Sequence, residues 1–330
     1  MNTQRLRHLK WLGALKSFLL IVGLSVNLAG LGWLLGGPLM SLCVALSLLI
    51  AYIISPSVSP ALILRFYRGR LILWHHAPRI YAIVNELARR AGLENPPQLY
   101  YIPSPVPNAL AIGTRKQSGI ALSDGLLKQL DMVEVSAVLA HEISHIINKD
   151  IGRNTLAAIS VRLTHSLGMI GMLLLLLNLP LMIIETWQVS WVLVGGLILS
   201  PIFGNALVAA LSHVHEYQAD LQAIQLTKDP HSLTSALLKL ETSDQFVWKK
   251  WLRQGVRAGK DWGLFSTHPA TAKRIKRLEK IGVFPRPFSK DPFPPPNSDT
   301  FQLPLNSKRR LSWLSTLNEC CSYWRRSDRY

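Results

Sequence analysis

Between Ser17 and Leu64 the chain carries no Asp, Glu, Lys or Arg. A helix of about 48 residues would be roughly 70 Å long at 1.5 Å per residue. One crossing of a bilayer takes about 20 residues. An uncharged run of that length therefore predicts two apolar helices joined by a turn. "GGPLM", Gly36–Met40, supplies the break, which puts one helix near 15–35 and a second near 38–56. A second apolar block runs from Leu167 to Leu211, with Glu185 its lone charged residue. Leu173–Leu177 is apolar on every face of a helix, which favours lipid over a half-solvated bundle. Pro180 and Pro201 interrupt this block, so its two segments are expected to be tilted or re-entrant.

Charge orients the apolar segments. Arg5, Arg7, Lys10 and Lys16 precede the first helix, Arg65, Arg68 and Arg70 follow the second, and Arg153 and Arg162 precede the third. The turn inside each pair carries no Lys or Arg. By the positive-inside rule both hairpins enter and leave from the cytoplasm, so residues 66–165 and 212–330 share that side and can form one domain. The net charge of +17 fits a cytoplasmic membrane face. Nucleic-acid binding is disfavoured, because the basic residues flank apolar segments or lie in the C-terminal tail without a binding motif. The three cysteines, Cys43, Cys320 and Cys321, form neither a disulfide framework nor a thiolate metal site.

In the polar stretches, residues 76–104 read as an amphipathic helix, a turn and a strand at about 98–103. "NALAIGTRKQSGIALSDGLLKQL" reads as a strand, a Gly-containing turn and a second strand ending near Ser123–Asp124. "DMVEVSAVLAHEISHIINKD" reads as a helix capped by Asp131, with Glu134 completing a capping box. Further helices are expected over "SHVHEYQADLQAIQLTKD", "DPHSLTSALLKLET" and "HPATAKRIKRLEKIG". From residue 284 the chain is Pro-rich and reads as extended and disordered; its last segment, basic and aromatic, suits an anionic lipid surface or a solvated tail.

"HEISH" carries the chemistry. His141 and His145 are four residues apart, which stacks both imidazoles on one helix face. Two neutral imidazoles at that separation can bind one Zn²⁺. Glu142 projects beside them and can take a proton from a water activated by the metal. A catalytic zinc needs a third protein ligand. "HVHEYQAD" offers Glu216, with Asp220 one turn on to accept the second N–H of a ligand histidine. His213 and His215 are rival ligands. His268, before Pro269, is placed to donate to an oxyanion or to start a helix. "NALAIGTRKQSGIAL" can present an edge strand that pairs with substrate, with Asn108 orienting strand or substrate.

"NALAIG", "GIALSDGLLKQL", "EVSAVLAHEISHI", "EYQAD" and "STHPATAKRIKRL" occur in this order. Together they resemble the HtpX-type heat-shock proteases, relatives of the CAAX prenyl proteases, over about residues 10–283. The resemblance implies an integral-membrane zinc endopeptidase with a cytoplasmic active site and a heat-shock or quality-control role. It also implies His141, His145 and Glu216 as zinc ligands, Glu142 as the catalytic glutamate and Asp220 as the partner of a ligand histidine. The family often has arginines where this chain has His213 and His215, which leaves the oxyanion or substrate role of that position open.

These readings predict an α+β, mostly helical membrane protein with two transmembrane hairpins, about four helices, and a cytoplasmic zincin-like protease domain. Its expected parts are 1–60, the first hairpin; 61–165, with the HEISH helix; 166–211, the second hairpin; 212–283, with the third ligand; and 284–330, the tail. One Zn²⁺ per chain is expected, with protein or peptide substrates, membrane proteins above all, and the bilayer as partners. A bacterial inner or plasma membrane is the expected location, with the N-terminus and tail cytoplasmic. Two alternatives are a prenyl-protein protease, which calls for a larger transmembrane chamber, and a zinc-stabilised membrane scaffold without turnover.

Overall fold

The computed structural model describes residues 3–54, 64, 68–183, 189–241 and 271–280. The Pro-rich tail and His268 lie outside the described residues. The chain divides into two units, one holding residues 3–54 and 148–219, the other 64–147, 220–241 and 271–280.

The first unit is helical. Helix α1 covers Thr3–Ile54 but is broken at Gly36 (φ −152°, ψ 24°) and Gly37 (φ 68°, ψ −159°). Gly37 takes a left-handed φ that L side chains avoid, and Pro38 opens the second arm, where its missing N–H is harmless. A Cβ on Gly32 would lie 3.0 Å from a Val44 methyl and 3.2 Å from the Ser41 Cα. In an unbroken helix residues 32 and 44 would be roughly 18 Å apart, so the arms fold back on each other at the break expected from "GGPLM". Helix α5 (Asp150–Ile183) and helix α6 (Trp191–Thr227) as far as Ala219 complete the unit. They approach closely at two glycines: a Cβ on Gly171 would lie 2.6 Å from the Leu197 Cβ, and one on Gly168 2.7 Å from the Pro201 ring. Asn178, fully buried, exchanges hydrogen bonds with both backbone groups of Val189, two residues before α6.

Among the described residues three helices, α1, α5 and α6, are long and apolar enough to cross a membrane. Their outer faces are apolar too, with Phe18, Val26, Trp33, Leu39, Met169, Leu176, Ile183, Val192 and Phe203 all exposed. Both α5 and α6 run past the apolar block. With no Gly or Pro between Asn205 and Thr227, one helix carries the end of the apolar run and "EYQAD" together.

The second unit is α+β. Four strands, β1 (Arg70–Leu71), β2 (Gln98–Ile102), β3 (Ala109–Gly113) and β4 (Ser118–Ser123), form a sheet in the order β1-β2-β4-β3. β2 and β4 are parallel, the other pairs antiparallel. Among the described residues β3 is an edge strand. Its ladder with β4 includes Ser123 N–H to Asn108 C=O (3.0 Å), and Thr114 N–H to Gln117 C=O (2.9 Å) closes the connecting turn. Antiparallel pairs alternate between bonded and unbonded, so Leu110 and Ile112 face β4, while Ala109, Ala111 and Gly113 turn their backbone groups to the open side.

Helix α2 (Pro78–Arg90) buries Ile80, Ile83, Val84, Leu87 and Ala88, the stripe expected of an amphipathic helix. Short α3 (Asp124–Gln129) is capped by the Ser123 hydroxyl, which accepts the Leu126 N–H at 3.2 Å. Helix α4 (Met132–Asn148) is buried from Glu134 to Ile146. Its start is the expected capping box: the Asp131 carboxylate accepts the N–H groups of Val133 and Glu134, and Glu134 accepts that of Asp131. The helix ends before the position expected, because Lys149 takes a left-handed φ of 59° and α5 starts afresh at Asp150. Helix α7 covers 230–241, and α8 Thr271–Lys280.

Candidate active site

His141 and His145 lie one turn apart on α4, and their Nε2 atoms are 3.2 Å from each other. Two imidazoles bound to one tetrahedral zinc at about 2.05 Å would have their nitrogens roughly 3.3 Å apart. His141 Nδ1 lies 3.1 Å from Asp220 Oδ1, which places the proton on Nδ1 and leaves the Nε2 lone pair facing His145. One turn before Asp220 on α6 is Glu216. The ligand atoms of His141, His145 and Glu216 all lie within 4.8 Å of one another. Two imidazole nitrogens and a buried carboxylate oxygen converge here at distances one cation could span. The donor set, two imidazoles and one carboxylate, is that of a His₂Glu zinc site.

Glu142 is nearly buried and makes a contact that the sequence did not announce. Its Oε2 accepts the N–H of Ala111 at 2.8 Å. Ala111 is on edge strand β3, and this N–H is one of those turned to the open side. The bond ties the glutamate of HEISH to that edge.

Asp220 has a second partner, which sequence reasoning missed. Arg274, on α8, donates from Nε to Asp220 Oδ2 at 2.8 Å and from Nη2 to Oδ1. Nη2 also lies 3.5 Å from His141 Nδ1. A guanidinium only donates, so Oδ1 takes both the arginine and the histidine protons. Arg274 is 4% exposed and Asp220 1%. A signal existed in "THPATAKRI", but nothing in its spacing says which carboxylate the arginine meets.

The other expected residues are placed as follows. His215 is fully buried, with Nδ1 2.8 Å from Asn154 Oδ1 and Nε2 3.6 Å from Asp150 Oδ1. His213 packs its ring 6.4 Å from that of Tyr217. Neither is in the ligand cluster found among the described residues. Asn108 is half-buried at the entrance to β3, where its N–H donates to the Ser123 hydroxyl at 2.7 Å. His268 lies outside the described residues.

The model of peptidase family M48 matches residues 75–282, a span that holds both HEISH and EYQAD. The chain belongs to peptidase family M48. It is 32% identical over 299 residues to a protein named Protease HtpX homolog from Pyrococcus abyssi (strain GE5 / Orsay), an alignment covering 82% of this chain and 96% of that one. It is 33% identical over 298 residues to the Protease HtpX homolog of Thermococcus kodakarensis (strain ATCC BAA-918 / JCM 12380 / KOD1), covering 81% and 95%. To Protease HtpX of Legionella pneumophila (strain Lens) it is 31% identical over 284 residues, covering 81% and 98%. Among solved structures it is similar to S. mikatae Ste24p, with a TM-score of 0.42 and 19% identity over 84% of this chain and 66% of that one. This M48 peptidase is a membrane-associated metalloendopeptidase, a hydrolase acting on protein substrates, as the HtpX-like reading implied.

Proposed function

We propose that the chain is a zinc-dependent endopeptidase that cleaves membrane-embedded or misfolded proteins on the cytoplasmic face. The observation that carries this reading is the convergence of His141, His145 and Glu216 beside a glutamate tied to an open strand edge. His141, His145 and Glu216 would hold the ion through Nε2 of each imidazole and a carboxylate oxygen. Bound there, zinc supplies Lewis acidity toward a substrate carbonyl and a water.

The protein's own groups do the rest. Substrate backbone pairs in extended form with the outward groups of Ala109 and Gly113 and with the Ala111 carbonyl, the Ala111 N–H being held by Glu142, and Asn108 and Ser123 fix the strand's entrance. Glu142 takes the proton of the attacking water and returns it to the leaving amine. Its bond from Ala111 keeps the carboxylate turned toward the strand where the scissile peptide lies. Asp220 holds the His141 proton on Nδ1, so that Nε2 stays a lone-pair ligand.

The apolar, exposed faces of α1, α5 and α6 suit lipid better than water. The break in α1 supports counting its two arms separately, and on this reading the chain has about four spans in two hairpins. The basic residues beside them support a reading with the N-terminus and the protease domain on the cytoplasmic side of a bacterial inner or plasma membrane. Anchoring there raises the local concentration of membrane substrates.

The test is purification in detergent with metal chelated, then addition of Zn²⁺ while casein cleavage and self-cleavage are followed, wild type beside Glu142→Gln. The expected result is zinc-dependent cleavage that falls by at least about 100-fold in the variant with zinc still bound. Zinc binding with no cleavage by either protein would favour a metal-stabilised scaffold; no zinc binding would remove the metal assignment.

A further inference from the structure

Helix α8 comes to the site from far along the chain: Arg274 is 54 residues after Asp220 and 133 after His141. Its inward face is narrow. Arg274 and Leu278, one turn apart, are buried, while Ala272, Lys273, Lys276 and Arg277 are exposed. A guanidinium carried into so dry a position loses its hydration. Good geometry on a paired carboxylate is what offsets that loss. The fork supplies it, with one N–H on each oxygen of Asp220.

The carboxylate gripped in this way is the one that accepts the His141 proton. Alone, an aspartate can swing about its last torsion and offer either oxygen in several directions. Gripped at both oxygens by a planar fork, it presents Oδ1 to His141 Nδ1 in one direction only. We propose that Arg274 is a positioning residue for the metal centre: by fixing Asp220 it fixes the His141 ring, so that metal binding and the docking of α8 are linked. The proposal rests on the zinc reading above. Linkage is reciprocal: whatever α8 adds to metal affinity, bound metal returns to the docking of α8.

The experiment uses the full chain in detergent, stripped of metal. Zinc affinity is read by competition with a chromophoric chelator, and ligand geometry by the visible spectrum of the Co²⁺-loaded protein. The proteins are wild type, Arg274→Lys, Arg274→Ala, Asp220→Asn, the Arg274→Ala/Asp220→Asn double variant, and Lys273→Ala from the exposed face of the same helix. Arg274→Ala should weaken zinc binding by about 10–100-fold, the range for partners of a ligand histidine. Arg274→Lys, a point charge that cannot span both oxygens, should fall between it and wild type with an altered Co²⁺ spectrum. The double variant should bind no worse than about threefold below Asp220→Asn alone, because both changes remove one clamp. Lys273→Ala should match wild type. Zinc should slow amide exchange across 271–280 in wild type and not in Arg274→Ala.

Where Arg274→Ala loses its helical circular dichroism, Arg274→Lys decides. Folded with weakened zinc binding and an altered spectrum, it supports the proposal; folded with wild-type affinity, it overturns it. Effects of Arg274→Ala and Asp220→Asn that multiply would also overturn it. Absence of zinc from wild type would sink the metal assignment and this proposal with it, whereas equal binding by wild type and both Arg274 variants sinks this proposal alone.

Discussion

Gly125 is the position where adding one carbon should tell most about how the strand edge is held. A Cβ there would lie 2.2 Å from the Pro105 carbonyl oxygen, 2.7 Å from its carbon and 2.9 Å from the Pro107 nitrogen. All three atoms are backbone. They belong to "PSPVPN", residues 103–108, the segment that leads into β3. Real Cβ contacts stay beyond 3.0 Å, so the segment must retreat by about 0.8 Å or more. Three prolines fix much of its torsion, so the shift cannot be absorbed locally and passes to Asn108 and β3. The Gly125 N–H bond to the Ser104 carbonyl, 2.9 Å, would be strained as well. Overpacking of this kind costs about 1–3 kcal/mol, and a lost hydrogen bond about 1 kcal/mol more. The sum, roughly 2–4 kcal/mol, corresponds to about 5–15 °C in melting temperature for a domain of this size.

Function should suffer too, since misplacement of about 1 Å near a reacting centre can cost about 100-fold. The assay is kcat/KM for casein with zinc, at a temperature where circular dichroism shows Gly125→Ala folded, together with its melting curve. Gly92→Ala is the comparison. Gly92 has a left-handed φ of 67° and nothing within 4 Å of its added carbon. It should therefore lose stability through strain and keep its activity while folded. If Gly125→Ala melts within 1 °C of wild type and keeps activity within about twofold, the argument from the Pro105 contact is refuted.

Three other expectations concern β3, α4 and α7. Ala111→Pro removes the donor to Glu142 at an edge position whose N–H makes no bond to β4. It should lower kcat about 10–100-fold, the worth of one hydrogen bond to a charged group, with little change in melting temperature; an equal loss of both would point to a general defect. Glu134 is nearly buried, which by itself would raise its carboxyl, but the Lys239 ammonium, the Ser235 hydroxyl and the Asp131 N–H outweigh burial and hold it below the usual range. A depressed carboxyl stabilises the fold above its unfolded pKa and loses that contribution as pH falls through the folded value. Melting temperatures of the metal-free protein should therefore drop below about pH 4.5. Lys239→Met should flatten that drop and cost about 1 kcal/mol at pH 7, a figure kept low because the lysine is 43% exposed. A steeper acid limb in the variant would contradict this account.

What could be read without coordinates was whatever repeats at short range. The uncharged run to Leu64, the break at Gly36–Gly37, the stripe on α2, the capping box of Asp131 and Glu134, and the turn of helix between His141 and His145 all rest on residues within a few positions of each other. Backbone geometry makes such neighbours meet in any context. The EYQAD turn is of the same kind, although its helix proved continuous with the apolar run before it. Where short-range cues conflicted or fell silent, the reading missed. Strand β1 is two residues long, the short helix α3 follows a strand that ends where expected but was not itself expected, and the left-handed φ of Lys149 leaves no mark in composition.

The tertiary structure alone decided the contacts that turn these pieces into a site. Arg274 meets Asp220 rather than some other carboxylate because α8 docks there. Lys239 and Ser235 reach Glu134 across 105 and 101 residues. Ala111 offers Glu142 a backbone N–H, a group every residue but proline owns, so no side-chain pattern could have announced it. Local spacing is written into torsion angles that each residue carries with it. The choice of partner across a hundred residues is made only when the whole chain has packed and each buried charge must find its counterpart.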